Sequence, residues 1–281
     1  MLTEITDKAD RIRVFTLLSV FIMAGFGLSP VFGYLLVDAG FDIGLTFTLT
    51  AVLCLISGAL FMSLRGAIAK LSHGQTPSIS SGLSMVALRQ VFRSRAIRPI
   101  IMVGLGASVF AAVTNFQTVF AAQNGLEYAT YFFAYTVTVI ICRVVFAEFM
   151  GGRAPYGTIS VLLAIMVASV ASLMFLTDGR ISYIIGAVLF GIGYGVSYPI
   201  VKAMAANDAK PEYLEQTLQI FGFSYFIGVF GFPFIAGWTI TAFGIGSLLA
   251  LAIVLSAVEC LLAFHRFATD NRTLIAKSAP D

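Results

Sequence analysis

Eight long apolar runs dominate this chain and constrain its fold more than any other feature. Each has about the 20 residues that one helix needs to cross a bilayer, and five of the eight contain no Asp, Glu, Lys or Arg. Barrel strands would be about half as long and would alternate in polarity. We therefore predict an all-α polytopic membrane protein with eight transmembrane helices, over residues 14–37, 44–64, 99–122, 129–150, 156–176, 181–204, 217–240 and 244–264.

The composition excludes other classes of protein. Of the 281 residues, 59% are hydrophobic and only 11% are charged, whereas a soluble domain has about 25% charged residues. Disordered chains are poor in aromatic residues, and this chain has 26 Phe and 10 Tyr. The three cysteines lie inside apolar runs, so a disulfide scaffold is not indicated. The net charge of +3 is too small to indicate a nucleic-acid partner.

The basic residues indicate the orientation. Cytoplasmic loops carry an excess of Lys and Arg. If the N-terminus is cytoplasmic, sixteen of the seventeen basic residues fall inside or at the inner ends of helices, and the external turns hold only Arg180. The external turns carry acids instead. The sequence thus predicts that both termini are cytoplasmic.

One loop, residues 65–98, is longer and more basic than the others. After a polar stretch over 72–82, Met85, Leu88, Val91 and Phe92 share one helical face, which predicts an interfacial amphipathic helix. The loop leaves two spans before it and six after it.

Two spans carry a similar pattern of glycine and proline. The first contains Gly25, Pro30 and Gly33, and the seventh contains Gly228, Pro233 and Gly237. Small residues permit close helix packing in lipid, and a mid-helix proline marks a kink. A repeat every six helices would place four further helices ahead of the first span. Chance occurrence remains the alternative, because both residues are common in membrane spans.

With these motifs in order, the chain resembles the major facilitator superfamily, whose transporters have twelve helices in two halves of six. The eight spans match helices five to twelve of that family. The loop after the fourth span departs from the family pattern: Arg143 is kept, Gly151 and Gly152 replace an Asp and an Arg, and Arg153 follows one place later. The stretches that carry the resemblance are residues 25–34, 132–143, 190–199 and 228–237.

The resemblance implies a secondary transporter of a small solute that works by alternating access in the plasma membrane, the inner membrane of a bacterium. The first-span motif resembles one found in exporters, which favours efflux. The coupling ion, a proton or another ion, stays open. The implied divisions are two helices of an N-terminal half (1–64), an inter-half loop (65–98), a C-terminal half (99–267) and a tail (268–281). A chain without four helices is expected to be truncated; the alternative is a non-transporting eight-helix remnant with a structural or interaction role.

No enzymatic constellation is present in the sequence. His73 and His265 have no plausible ligand cluster, so no metal or cofactor is indicated. The glycines at 191, 193 and 195 follow no strand, which argues against a nucleotide site.

Transport requires polar groups inside the bundle, because polar groups facing lipid are costly. In the third span a stripe of small and polar residues shares one face, with helix–helix hydrogen bonding as the alternative role. Tyrosines on three later spans offer an amphipathic wall, although tyrosines near helix ends also anchor at the interface. The candidate cavity residues are Ser108, Asn115, Gln117, Thr118, Tyr131, Tyr135, Tyr194, Ser197, Tyr198, Gln219 and Tyr225.

Three ionisable residues lie within the spans. Arg143 has two interpretations: it binds an anion or a helix C-terminus, or it extends to the inner surface as long basic side chains do. Glu148 is expected on a solvated face. Glu259, on the peripheral last helix, is expected to pack or to extend to the surface rather than to carry a proton.

The predicted orientation is tested with a reporter that is active only in the cytosol. Fused to either terminus, it should be active, because eight crossings return the chain to its starting side. The same reporter inserted into the turn at 38–42 should be inactive. Opposite results from the two termini would contradict an even number of crossings.

Overall fold

The computed structural model describes residues 11–72, 84–146, 155–175 and 179–278, and its regular structure there is entirely helical. A short 3₁₀ turn lies over Pro211–Tyr213, and a π-helical turn lies over Ile227–Gly231. The helices are α1 (Arg11–Asp38), α2 (Ile43–Ser72), α3 (Met85–Phe92), α4 (Ile97–Asn115), α5 (Gln117–Gln123), α6 (Tyr128–Phe146), α7 (Pro155–Phe175), α8 (Arg180–Asp208), α9 (Leu214–Phe226), α10 (Phe232–Phe243) and α11 (Ile245–Ser278).

Eight helical segments in the described residues are long and apolar enough to cross a membrane, which confirms the predicted spans. Two runs are not single regular helices. The third breaks at Phe116, whose backbone leaves the helical region, so that α4 and α5 share it. The seventh contains the π turn just before Pro233. Proline lacks an amide hydrogen and its ring clashes with the preceding turn, and a π turn accommodates that defect.

The body of the molecule is built around α4 and α8. Helix α4 packs against α8, α9, the π turn, α10 and α11, while α8 packs against α6 and α7. Helix α1 crosses both α6 and α8, so it belongs to the same packed body. By contrast, no residue of the span Ile43–Leu64 in α2 is buried among the described residues.

Glycines on α8 permit this close packing. A Cβ on Gly193 would lie 2.6 Å from the backbone nitrogen of Met166 on α7. On the opposite side of α8, a Cβ on Gly195 would overlap Val139 of α6, and one on Gly191 would lie 3.1 Å from the carbonyl oxygen of Tyr135. The stretch therefore brings two neighbouring helices almost to backbone contact with α8.

The amphipathic segment forms a helix, α3, whose N-terminus is capped by Ser84: its hydroxyl oxygen accepts a hydrogen bond from the Ala87 amide at 3.1 Å. On the predicted apolar face, Val91 is buried and Leu88 is partly buried, and the interfacial role of the helix stays a prediction. Ala87 and Val91 are buried against the bundle, whereas Met85 and Phe92 are exposed. Most of the polar stretch predicted as loop, together with Glu148, lies outside the described residues.

Replacing Gly193 with Ala tests the packing of α8. The new methyl group has no space beside the Met166 backbone, and overpacking of this kind costs about 1–3 kcal/mol. We expect a lower midpoint of thermal unfolding in detergent. The control is Gly222→Ala, because a Cβ added to Gly222 would have no neighbouring group within 4 Å. An unchanged midpoint in the Gly193 variant would contradict the packing described here.

Candidate functional site

Arg143 lies at the centre of the bundle, where α1, α6 and α8 meet. Its side chain is fully buried. Its Nε donates a hydrogen bond of 2.7 Å to the carbonyl oxygen of Gly195 on α8, and its Nη1 donates one of 2.6 Å to the carbonyl oxygen of Ser19 on α1. The guanidinium thus links three helices instead of extending to the inner surface.

The sequence of α8 explains why the Gly195 carbonyl is available. In a regular helix this oxygen would accept the amide hydrogen of residue 199, but that residue is Pro199, which has none. In lipid, a freed backbone carbonyl must find a donor from a neighbouring group. Arg143 supplies this donor, and the lack of a side chain at Gly195 lets α6 come close enough for the bond to form.

Four tyrosines lie within electrostatic range of the guanidinium. Arg143 interacts electrostatically with each of their phenol groups, and we call this set the Arg143–tyrosine cluster. It contains Tyr135 of α6, Tyr194 and Tyr198 of α8, and Tyr225 of α9. The side chains of Tyr194 and Tyr225 share a hydrogen bond, and the rings of Tyr198 and Tyr225 lie 5.1 Å apart.

One guanidinium nitrogen is left for a ligand. Arg143 Nη2 is buried and has no hydrogen-bond partner among the described residues. A buried arginine without a carboxylate partner is costly in a membrane, and the N–H groups of a free guanidinium nitrogen can donate to carboxylate, sulfonate or phosphate oxygens. The arrangement can therefore bind the anionic group of a solute, with phenol rings against its body.

An open groove lies elsewhere on the three helices that Arg143 links, and no residue of the Arg143–tyrosine cluster lines it. It has a volume of about 530 Å³ and lies between α1, α6 and the N-terminal part of α8. Its walls are mostly apolar, with Tyr34, Thr130, Thr138 and Arg180 as polar members. Arg143 and Tyr135 have no exposed surface in this structure, whereas Tyr198 and Tyr225 are partly exposed.

Tyr131 does not belong to the Arg143–tyrosine cluster. It is fully buried one turn before Tyr135, with its ring 5.4 Å from that of Tyr183 on α8. Phe120 of α5 stacks on Tyr183 at 6.0 Å. Neither phenol of this pair has a hydrogen-bond partner in the described part of the chain. This second aromatic group packs α5, α6 and α8 together, and a cavity role for Tyr131 stays a prediction.

The third-span candidates point in different directions. The Ser108 hydroxyl donates to the Gly104 carbonyl oxygen of its own helix at 2.8 Å. Asn115 and Thr118 are exposed. Gln117 is buried, but it faces α7 and α11 across a cavity of about 10 Å³ and lies on the other side of the bundle from Arg143's contacts. Their roles as cavity residues stay predictions.

Two further candidates lie closer to the cluster. The Ser197 hydroxyl is buried and donates to the carbonyl oxygen of Tyr194 at 3.0 Å, within α8. Gln219 is exposed on α9. The face of α4 near Gly104, which carries the stripe of small and polar residues, packs against α9. There the Ser224 hydroxyl donates to the Ile100 carbonyl oxygen at 2.8 Å. This geometry is that of helix–helix packing.

The glycines of the two glycine and proline motifs differ in whether they pack against another helix. A Cβ on Gly228 would lie 2.7 Å from the Gly104 carbonyl oxygen, so this glycine packs the π turn onto α4. Gly25, Gly33 and Gly237 have nothing within 4 Å. Arg153 lies outside the described residues.

Pro30 frees a carbonyl as Pro199 does, but its donor comes from the same helix. The Ser29 hydroxyl donates to the Phe26 carbonyl oxygen at 3.0 Å within α1. The α1 contact with α6 depends instead on Gly27, where a Cβ would overlap Thr136. Sequence reasoning missed Gly27 and the bond from the arginine of α6 to the α8 backbone. A signal for the bond was present, since a proline four residues after a glycine frees that glycine's carbonyl.

Comparison with known families agrees with the helical architecture. The family described as Major Facilitator Superfamily matches residues 1–233 of the 281. No curated protein matches the chain.

A double-mutant cycle tests the bond between Arg143 and the freed carbonyl. Arg143→Gln removes charged hydrogen bonds, each worth about 1.5–3 kcal/mol, so the free energy of unfolding should fall. In a Pro199→Ala background the restored amide at position 199 satisfies the Gly195 carbonyl, and the same substitution should cost less, by at least about 0.5 kcal/mol. Thermal unfolding in detergent provides the measurement.

Pro30→Ala is the control background, because its freed carbonyl already has the Ser29 hydroxyl. There the cost of Arg143→Gln should be unchanged. An equal loss of unfolding free energy on Arg143→Gln in all three backgrounds would contradict a link between Arg143 and Pro199.

Proposed function

Since the chain belongs to the major facilitator superfamily of membrane transporters, we propose that it moves a small anionic solute across the membrane by alternating access, with the Arg143–tyrosine cluster as the binding site. The observation that carries this proposal is the buried Arg143, which has one guanidinium nitrogen without a partner and no carboxylate beside it among the described residues.

The contacts of α1 support a mechanism of access. Arg143 Nη1 is occupied by the Ser19 carbonyl oxygen of α1, and α1 also packs on α6 through Gly27. Movement of α1 away from α6 would free Nη1 beside the already free Nη2. The two nitrogens together would then offer the paired donors that a carboxylate or phosphate accepts. Opening and ligand binding are coupled through one side chain.

The protein's membrane, its orientation and the direction of transport follow from other features. The protein is an integral membrane protein, and we place it in the inner membrane of a bacterium with both termini cytoplasmic, because of the distribution of Lys and Arg. The resemblance of the α1 motif to exporters favours efflux. Helices α1 and α2 act as the moving part against the six-helix portion that follows the loop at 65–98.

The substrate class is tested with anions and their neutral analogues. Benzenesulfonate and succinate are compared with benzenesulfonamide and succinamide as stabilisers of the purified protein. At least one anion should raise the unfolding midpoint, because a ligand that binds only the folded state stabilises it. The neutral analogue should not. Equal stabilisation by anion and amide, or none by either anion, would contradict anion recognition.

Transport is measured as exchange of the radiolabelled binding anion across proteoliposomes. Arg143→Gln should lower exchange at least about tenfold, equivalent to ~1.4 kcal/mol of lost binding. Tyr225→Phe retains the ring and removes only one neutral hydrogen bond, worth about 0.5–1.5 kcal/mol, so it should lower exchange less than Arg143→Gln does. Proteoliposomes that bind the anion without exchanging it would favour the non-transporting alternative.

A further inference from the structure

Glu259 lies inside the protein although it belongs to the last helix, α11. Its side chain is only 2% exposed. Instead of extending to the membrane surface, it points between α4 and α8. The carboxyl group enters a small cavity of about 10 Å³ whose other lining residues include Val103, Tyr194, Ser197 and Tyr198.

A glycine on α4 makes room for this carboxyl group. A Cβ placed on Gly106 would lie 2.9 Å from Oε2 of Glu259 and 3.0 Å from Oε1. Any larger residue at position 106 would therefore displace the carboxyl group. The close fit fixes the acid in the interior, in a cavity of the size that one water molecule occupies.

The surroundings of Glu259 favour its neutral form. It makes no ion pair with any described residue, and its Oε2 has no hydrogen-bond partner there. The titratable groups that face it are phenols of α8 and the Cys260 thiol of its own helix. The nearby cations are Lys202 of α8, which follows the pocket-lining Val201, and Arg98 and Arg266 of α4 and α11, which are about two helical turns away, or ~10 Å along the axis. An isolated carboxylate in such a place is costly, so the group takes up a proton.

The remaining neighbours place no further ionisable group in the lining of this pocket. Helix α7 contributes Tyr156, which is engaged with Asp208 through a 3.0 Å hydrogen bond and with the Arg266 guanidinium above its ring. Helix α10 contributes no Asp, Glu, Lys, Arg, His, Cys or Tyr. Among the described residues, Glu259 is thus the one carboxyl group that lines this pocket, beside the phenols of Tyr194 and Tyr198.

Tyr194 connects this acid to the proposed solute site. It lines the same cavity as Glu259, shares a hydrogen bond with Tyr225 and interacts electrostatically with Arg143. A negative charge on Glu259 would weaken the binding of an anion at Arg143, whereas a protonated Glu259 would not. By linkage, anion binding must then favour proton binding to the same extent.

We propose that Glu259 is a membrane-buried proton-binding site linked through Tyr194 to anion binding at the Arg143–tyrosine cluster. The link rests on the proposed function, while the proton site itself rests only on the pocket. Proton and anion bound together travel in one direction. With an inward proton gradient this coupling drives uptake, so its demonstration would reverse the efflux expectation.

Infrared spectroscopy of the full chain in lipid tests the proton site without any transport. At neutral pH the spectrum should contain the carbonyl stretch of a protonated carboxyl group. Glu259→Gln should remove this band, and Glu127→Gln should keep it, because the Glu127 side chain is exposed beside Arg180. A band that survives in the Glu259 variant, or that is absent from the parent, would overturn the proposal.

The link is tested with benzenesulfonate, which stays charged at every working pH. Its affinity for the parent should fall as pH rises through the titration of Glu259, by up to about tenfold per pH unit, the limit for one linked proton. In Glu259→Gln the affinity should be independent of pH. A flat profile in the parent overturns the link. If the anion does not bind at all, the proposed substrate class fails, while the infrared result still decides the proton site.

Discussion

A backbone carbonyl without an amide partner cannot remain unsatisfied inside a membrane, and this constraint organises the centre of the protein. Pro199 frees the carbonyl of Gly195, and Arg143 satisfies it from α6 at 2.7 Å. The same guanidinium reaches α1 through Ser19. An arginine that would be costly in lipid is therefore stabilised by a defect in a neighbouring helix, and it brings a fixed positive charge to the middle of the bundle.

At the other two mid-helix prolines, no charged side chain takes the place of the missing amide hydrogen. Ser29 donates to the carbonyl freed by Pro30 within α1, and a π turn precedes Pro233. Of these three prolines, only Pro199 takes its donor from another helix. This difference explains why the polar centre lies where α1, α6 and α8 meet and not beside the other two prolines.

Glycines decide which side chains can meet at that centre. The missing side chain at Gly195 lets α6 approach α8, and the one at Gly27 lets α1 approach α6. At Gly106 it leaves room for the carboxyl group of Glu259 between α4 and α8. In each case the missing side chain allows a backbone or a polar group to approach. The proposed anion and proton sites are consequently neighbours, with Tyr194 between them.

The sequence by itself determined the number of spans, the all-helical class and the family, because about 20 apolar residues without charge can only cross a bilayer as a helix. It also placed in membrane spans the four tyrosines that interact with Arg143, whose role in a binding site stays a prediction. It did not determine that Arg143 is buried, that Gln117 faces away from it, or that Glu259 points inward. Spans such as α1, α2 and α7 are apolar on all sides and have little amphipathicity, since lipid and the protein interior favour the same side chains. Rotation about each helix axis is then set by glycine contacts and freed carbonyls between helices, which exist only in the tertiary structure.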